Sequence, residues 1–88
     1  MKKFILNKDR DELIEVQGSI VLVSPYKNRN TYFIGLEFYS GKKIIRKILG
    51  EYDNKKTSEN VFKAILFFLG SKNEFTFVMP INFVEWKR

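Results

Sequence analysis

The chain has 88 residues, a formal net charge of +6 at pH 7, and neither cysteine nor histidine. Its length predicts one domain, residues 1–88, which would bury about 60–65% of the surface that the unfolded chain exposes. The composition excludes a disulfide framework and removes the usual ligands of a zinc site, while 44% hydrophobic residues favour a folded core over disorder.

The first six residues begin like a signal peptide, with two lysines followed by an apolar run. Charged residues at positions 8–12 end that run well before the length that a signal sequence needs. The longest apolar stretch, residues 64–69, is much too short to cross a bilayer. We therefore expect a cytoplasmic protein without a membrane partner.

Three strands are expected in the first part of the chain. Residues 3–6 and 13–17 flank a charged turn, which predicts a first hairpin. Residues 19–24 contain four consecutive aliphatic side chains, so both faces of that strand would be apolar. This pattern predicts a central strand that is covered on both sides.

Residues 31–49 predict the clearest hairpin, because two apolar-rich runs flank Ser40 and Gly41, which suit a tight turn. This turn would place Leu36 opposite Ile45. The pairing also predicts a core face made of six side chains: Tyr32, Ile34, Leu36, Phe38, Ile45 and Leu49.

Residues 58–69 predict a helix, because Thr57 is a good N-cap and Gly70 suits the position just past the last turn. A strand at residues 74–78 would follow. We therefore expect an α+β fold, with a mostly antiparallel or mixed sheet of four to five strands and one helix packed on one face.

The order of elements between residues 18 and 86, a strand, a hairpin, a helix and a further strand, resembles the first half of the ribonuclease H fold. In that family, carboxylates on the first strand, in the helix and at the end of the fourth strand bind divalent metal. The corresponding positions here are Ser24 or Pro25, Val61 or Phe62, and Met79 or Pro80, none of which is acidic. The resemblance implies the fold without its nuclease site.

Sequence motifs of catalysis are absent. Without cysteine and histidine, acid–base or nucleophilic catalysis would have to use Asp, Glu, Lys, Tyr or Ser. The sequence contains neither a phosphate-binding loop motif nor a nucleophile-elbow motif. Asp9, Asp11 and Glu12 form the densest carboxylate cluster, but they lack the glycine and terminal glutamate of a calcium loop. We interpret them as a solvated turn, and we expect no enzymatic activity, metal or cofactor.

The basic residues at positions 42–47 are the strongest charge feature. On a strand, Lys42 and Arg46 would share a face with Phe33 and Tyr39. Such a face can clamp phosphates while bases stack on the rings, although lysines also protect exposed sheet edges from self-pairing. Four further cations would extend a nucleic-acid-binding patch: Lys27, Arg29, Lys55 and Lys56.

The predicted helix would bury one apolar face, made of Val61, Phe62, Ile65, Phe68 and Leu69. Phe67 would lie on the opposite side, near Lys63 and Leu66. It would either pack beneath a tail that contains Phe83 and Trp86, or mark a contact surface for a partner.

Two functions of the chain therefore stay open. The first is a small non-catalytic nucleic-acid-binding module. The second is a protein–protein interaction module, such as a phage- or mobile-element-encoded inhibitor or accessory factor of a host enzyme, or an obligate homodimer.

Overall fold

The computed structural model describes residues 2–24 and 31–81. The candidate phosphate contacts Lys27 and Arg29, and the tail residues Phe83 and Trp86, lie outside the described residues. The described ranges contain seven elements: β1 (Phe4–Leu6), β2 (Leu13–Glu15), β3 (Ser19–Val23), β4 (Tyr32–Ser40), β5 (Lys43–Tyr52), α1 (Lys55–Gly70) and β6 (Thr76–Val78).

These strands form two three-stranded sheets, so the α+β class is confirmed but the single sheet of four to five strands is wrong. The first sheet has the order β2-β1-β6, with β2 antiparallel and β6 parallel to β1. The second is antiparallel and has the order β3-β4-β5. The division arises because β6 returns from the helix to pair with β1, where Met79 N–H donates to the Leu6 carbonyl at 3.0 Å.

In the second sheet the central strand is β4, whereas residues 19–24 had been predicted to be central. Within the described ranges β3 pairs on one side only, and its aliphatic side chains are half-buried. The error has a simple cause, because an apolar pattern on both faces reports burial of the faces and carries no information about pairing at the edges.

The β4–β5 hairpin forms with a register shifted by two residues from the predicted one. Leu36 faces Lys47, and the turn residues are Gly41 and Lys42. Gly41 has φ 65°, and a glycine at the first turn position suits a type II′ hairpin. Because the shift is even, the same side chains still face the core.

An irregularity near the middle of the hairpin lengthens β5. Ile34 faces Gly50 and Gly35 faces Ile48, so Leu49 is an extra residue on β5, as in a β-bulge. The strand continues to Tyr52, three residues beyond the predicted end of the hairpin at residue 49.

The helix begins three residues earlier than predicted, because Asn54 and not Thr57 is its N-cap. The Asn54 side-chain oxygen accepts a hydrogen bond from the Thr57 backbone N–H at 3.0 Å. Lys55 and Lys56 therefore lie in the first turn of α1 and not in the preceding loop.

A lysine from the N-terminal segment binds the other end of α1. Lys3 Nζ donates hydrogen bonds to the carbonyl oxygens of Phe68, Ser71 and Glu74, at 2.9, 2.5 and 2.7 Å. Gly70 is the last helical residue, where a position just beyond the helix had been predicted. An ammonium group here satisfies helix-end carbonyls and interacts favourably with the helix dipole.

The core lies between α1 and one face of the second sheet, with β1, β2 and the segment after β6 closing it. The predicted apolar face of the helix is confirmed, because Val61, Ile65 and Phe68 are buried. Phe62 and Leu69 are half-buried and pack against the core. From the predicted core face of the hairpin, Ile34, Leu36 and Leu49 are buried, and Tyr32 and Phe38 are half-buried. Ile45 is the exception, since it is 37% exposed.

No helix within the described ranges combines the length and the apolar character that crossing a membrane requires.

Candidate nucleic-acid interface

The β4–β5 hairpin extends past the third strand of its sheet. β3 pairs with β4 as far as the Ser19–Glu37 position, and from there to the turn β4 pairs, among the described residues, with β5 alone. We call this two-stranded segment, residues 38–45, the hairpin arm. With about 3.3 Å per residue, its three paired positions project about 10 Å beyond the three-stranded part.

The end of the hairpin arm combines an aromatic ring with two cations. Tyr39 is 75% exposed, and Ile44, which faces it across the strands, is 61% exposed. Lys42 in the turn and Lys43 at the start of β5 are both exposed. The structure therefore brings the predicted pair of Tyr39 and Lys42 together at one tip.

The other predicted aromatic residue lies far from that tip. Phe33 is six residues before Tyr39 on β4, which corresponds to about 20 Å along the strand. It is half-buried and faces Glu51. Phe33 and Tyr39 therefore do not form the shared stacking surface that the sequence predicted.

Arg46 lies at the root of the hairpin arm and is paired with a carboxylate. It faces Glu37, and its Nε donates to Glu37 Oε2 at 2.7 Å. Gly35 leaves room for this arrangement, because an ideal Cβ there would lie only 3.3 Å from Arg46 Cγ. The guanidinium is thus held over the outer surface of the sheet.

The neighbouring cation is also paired, on the opposite face of β5. Lys47 forms an ion pair with Glu12 of the loop between β1 and β2. Over residues 37–47, four cations against one carboxylate leave a charge of +3. The hairpin therefore stays strongly basic, although two of its cations have carboxylate partners.

Lys55 and Lys56 do not join this surface. Both are exposed in the first turn of α1, which follows the end of β5 that is remote from the hairpin arm. The ten residues of β5 separate them from the tip by about 30 Å. Of the predicted contacts in the described ranges, the structure places Tyr39, Lys42 and Arg46 on one side of the molecule and Lys55 and Lys56 on another.

The predicted protein-interface residues lie together on α1. Phe67 is 81% exposed and forms a ridge between two hollows. Lys63 and Phe67 line a groove of about 670 Å³ between α1 and β6. Leu66, which is 49% exposed, shares with Phe67 a second hollow of about 360 Å³ at the end of the helix.

Sequence reasoning missed several members of both surfaces. Lys43 was not assigned to the basic surface, because strand alternation places it on the face opposite Arg46, and the sequence gives no sign that both faces are exposed at the tip. Val78, which is 50% exposed, lines the groove beside Phe67, but a pairing between two short distant strands gives no local signal.

The described ranges contain no cluster of three or more acidic residues that could hold a metal ion. Asn7, which is buried, organises the predicted carboxylate turn instead. Its Nδ2 donates to Asp11 Oδ1 at 2.7 Å, and its Oδ1 accepts from the backbone N–H groups of Asp11 and Glu12. These contacts give the acidic residues a role in shaping the loop.

No protein-family model, curated protein or solved structure matches this chain. The resemblance to the ribonuclease H fold therefore stays a prediction.

Proposed function

We propose that this protein is a small non-catalytic nucleic-acid-binding module that contacts phosphates with its hairpin arm. The observation that carries the proposal is the joint exposure of Tyr39, Lys42 and Lys43 on a segment that projects from the core. Lysine side chains bind phosphate oxygens, and an exposed tyrosine supplies a flat ring beside them.

Arg46 adds to this surface despite its carboxylate partner. The side chains of Arg46 and Glu37 are 45% and 27% exposed, and ion pairs at such exposure typically contribute about 0–1 kcal/mol. A phosphate can therefore replace the carboxylate at little cost. The overall charge of +6 supports the proposal because it accelerates the approach of a polyanion.

Fluorescence anisotropy with labelled oligonucleotides, titrated with salt, tests the proposal. We expect micromolar or tighter binding, with an affinity that falls by about 0.9 log units per log unit of salt for each phosphate contacted. Reversing the charge of both lysines, Lys42→Glu with Lys43→Glu, should weaken binding and flatten this slope. Lys72→Glu with Lys63→Glu is the matched control, because both residues are exposed and lie outside the hairpin. Equal losses in the two double variants would refute a role for the hairpin arm.

A protein–protein interaction module is the second candidate, and the exposure of Phe67 favours it. A ring that is 81% exposed between two hollows has the form of an interface anchor. Phe67→Glu should abolish association with a partner or a second copy while leaving the unfolding free energy unchanged. Light scattering and urea unfolding would measure the two effects for a second copy. Leu13→Glu, at a residue that is 56% exposed on β2, is the control.

A further inference from the structure

We infer, on the basis of the proposed function, that the ligand of the hairpin arm is B-form double-stranded DNA and that the arm enters its major groove. The inference deepens the proposed function by choosing one class of nucleic acid. It rests on the dimensions of the arm, on the placement of its aromatic residues, and on the positions of four cations, two on the arm and two at its root.

The dimensions of the hairpin arm match a major groove. Its two strands lie about 4.8 Å apart, and it projects about 10 Å from the sheet. The major groove of B-DNA is about 12 Å wide and 8.5 Å deep, and it admits a two-stranded β-ribbon. In A-form RNA the corresponding groove is too deep and narrow for side chains to read.

Both faces of the hairpin arm carry exposed side chains at the tip, and Phe38 at the base of the arm packs against the core. Tyr39 and Ile44 lie on one face, and Lys43 and Ile45 lie on the other. A segment that packed flat on a surface would use only one of these faces. Insertion between the two walls of a groove uses both.

The aromatic residues disfavour a single-stranded ligand. Single strands are typically held by several rings on which successive bases stack. On the hairpin arm, which lies entirely within the described residues, Tyr39 is the one strongly exposed ring, and Phe38 is half-buried. Phe33 lies about 20 Å away along β4 and is half-buried too, so it cannot receive a neighbouring base.

The four cations of the hairpin would lie at two different depths in the DNA groove. Lys42 and Lys43 lie at the tip, where they would reach the groove floor and the O6 and N7 acceptors of guanine. Arg46 and Lys47 lie at the root and point to opposite faces of β5, as their separate partners Glu37 and Glu12 show. Each would therefore contact the phosphates of a different groove wall.

Three probes of the same base sequence test the inference with the full chain in one buffer: duplex DNA, single-stranded DNA and duplex RNA. We expect at least about tenfold tighter binding to duplex DNA, the size of one good base contact. Equal or tighter binding to either other probe would overturn the inference while the proposed function stands. No binding to any probe would overturn the proposed function itself.

Guanine methylated at N7 identifies the groove, because N7 lies in the major groove. A duplex that carries 7-methylguanine should bind the protein several-fold more weakly than the unmodified duplex. Lys43→Gln should reduce this difference, whereas Lys72→Gln, at an exposed residue outside the hairpin, should preserve it. Equal affinities for the methylated and the unmodified duplex would show that the arm does not occupy the major groove.

Discussion

Arg46 and Glu37 form a cross-strand ion pair where the hairpin arm leaves the sheet, with Arg46 Nε 2.7 Å from Glu37 Oε2. The same oxygen also accepts a hydrogen bond from a terminal guanidinium nitrogen. Both side chains remain partly exposed, so the pair contributes little to stability. Its larger effect is electrostatic, because it cancels one of the four cations that the hairpin presents.

Glu37→Gln should therefore increase the affinity for nucleic acid. The substitution releases the guanidinium of Arg46 for a phosphate, so we expect a few-fold tighter binding. The logarithm of the affinity should also fall more steeply with the logarithm of the salt concentration, by about 0.9 in slope. The unfolding free energy should fall by less than about 1 kcal/mol. Glu74→Gln makes the same change in net charge at an exposed site outside the hairpin. If both variants bind equally tightly, net charge alone explains the gain.

Lys3→Met should destabilise the protein by about 1–3 kcal/mol. The variant keeps most of the aliphatic stem but removes the ammonium group that binds the carbonyls of Phe68, Ser71 and Glu74. It also removes a cation that lies 4.7 Å from the centre of the Phe68 ring. Urea unfolding measures the loss. Lys2→Met, at the exposed neighbouring residue, should change stability by less than about 0.5 kcal/mol, and an equal loss there would contradict the helix-end role.

The sequence predicted elements whose signal is local. The burial of Val61, Ile65 and Phe68 follows from helical periodicity, and the β4–β5 hairpin follows from two apolar-rich runs around a glycine. The separation into two sheets could not be predicted in this way. It depends on pairing between β1 and β6, which are three residues each and lie about seventy residues apart.

The same limit applies to the candidate site. In the predicted register Arg46 would have faced Gly35, and Glu37 would have faced Ile44, so no ion pair was foreseen. The error was two residues, which left the faces correct and changed every cross-strand neighbour. The helix start shows a similar ambiguity, because Asn54 and Thr57 are both good N-cap residues and only the structure selects Asn54.

Gly18→Ala should be strongly destabilising, by more than about 2 kcal/mol. Gly18 has φ 80°, and an ideal Cβ there would lie 2.0 Å from the carbonyl oxygen of Glu37. The backbone would have to move where the start of β3 lies beside β4.

Gly70→Ala is the opposite case, because the last residue of α1 has no atoms within 4 Å of an added Cβ. It should stabilise the helix by up to about 1 kcal/mol. Thermal unfolding of both variants checks the contrast, and similar midpoints would contradict it.

Tyr52 makes stability sensitive to high pH. Its side chain is 1% exposed, and its hydroxyl donates to the Pro80 carbonyl at 2.7 Å. Burial raises the pKa of Tyr52 from 10.0 to about 12, with the charge of Arg10 acting in the opposite direction. The neutral phenol is thus favoured in the folded protein. This preference for the neutral phenol stabilises the folded protein fully below pH 10, and the stabilisation is lost as the pH rises from 10 towards 12.

Unfolding free energies between pH 9 and pH 12 should therefore decrease by up to about 1.4 kcal/mol per pH unit above pH 10 through this one group. Lysine titration also contributes in that range, so Tyr52→Phe serves as the reference. This variant should lose about 1 kcal/mol at pH 8, because its ring cannot donate to Pro80, and it should depend less steeply on pH above 10. The difference between the two proteins would then shrink with rising pH and change sign, since the phenylalanine ring never ionises. Parallel curves for the two proteins would show that Tyr52 ionises equally in the folded and unfolded states.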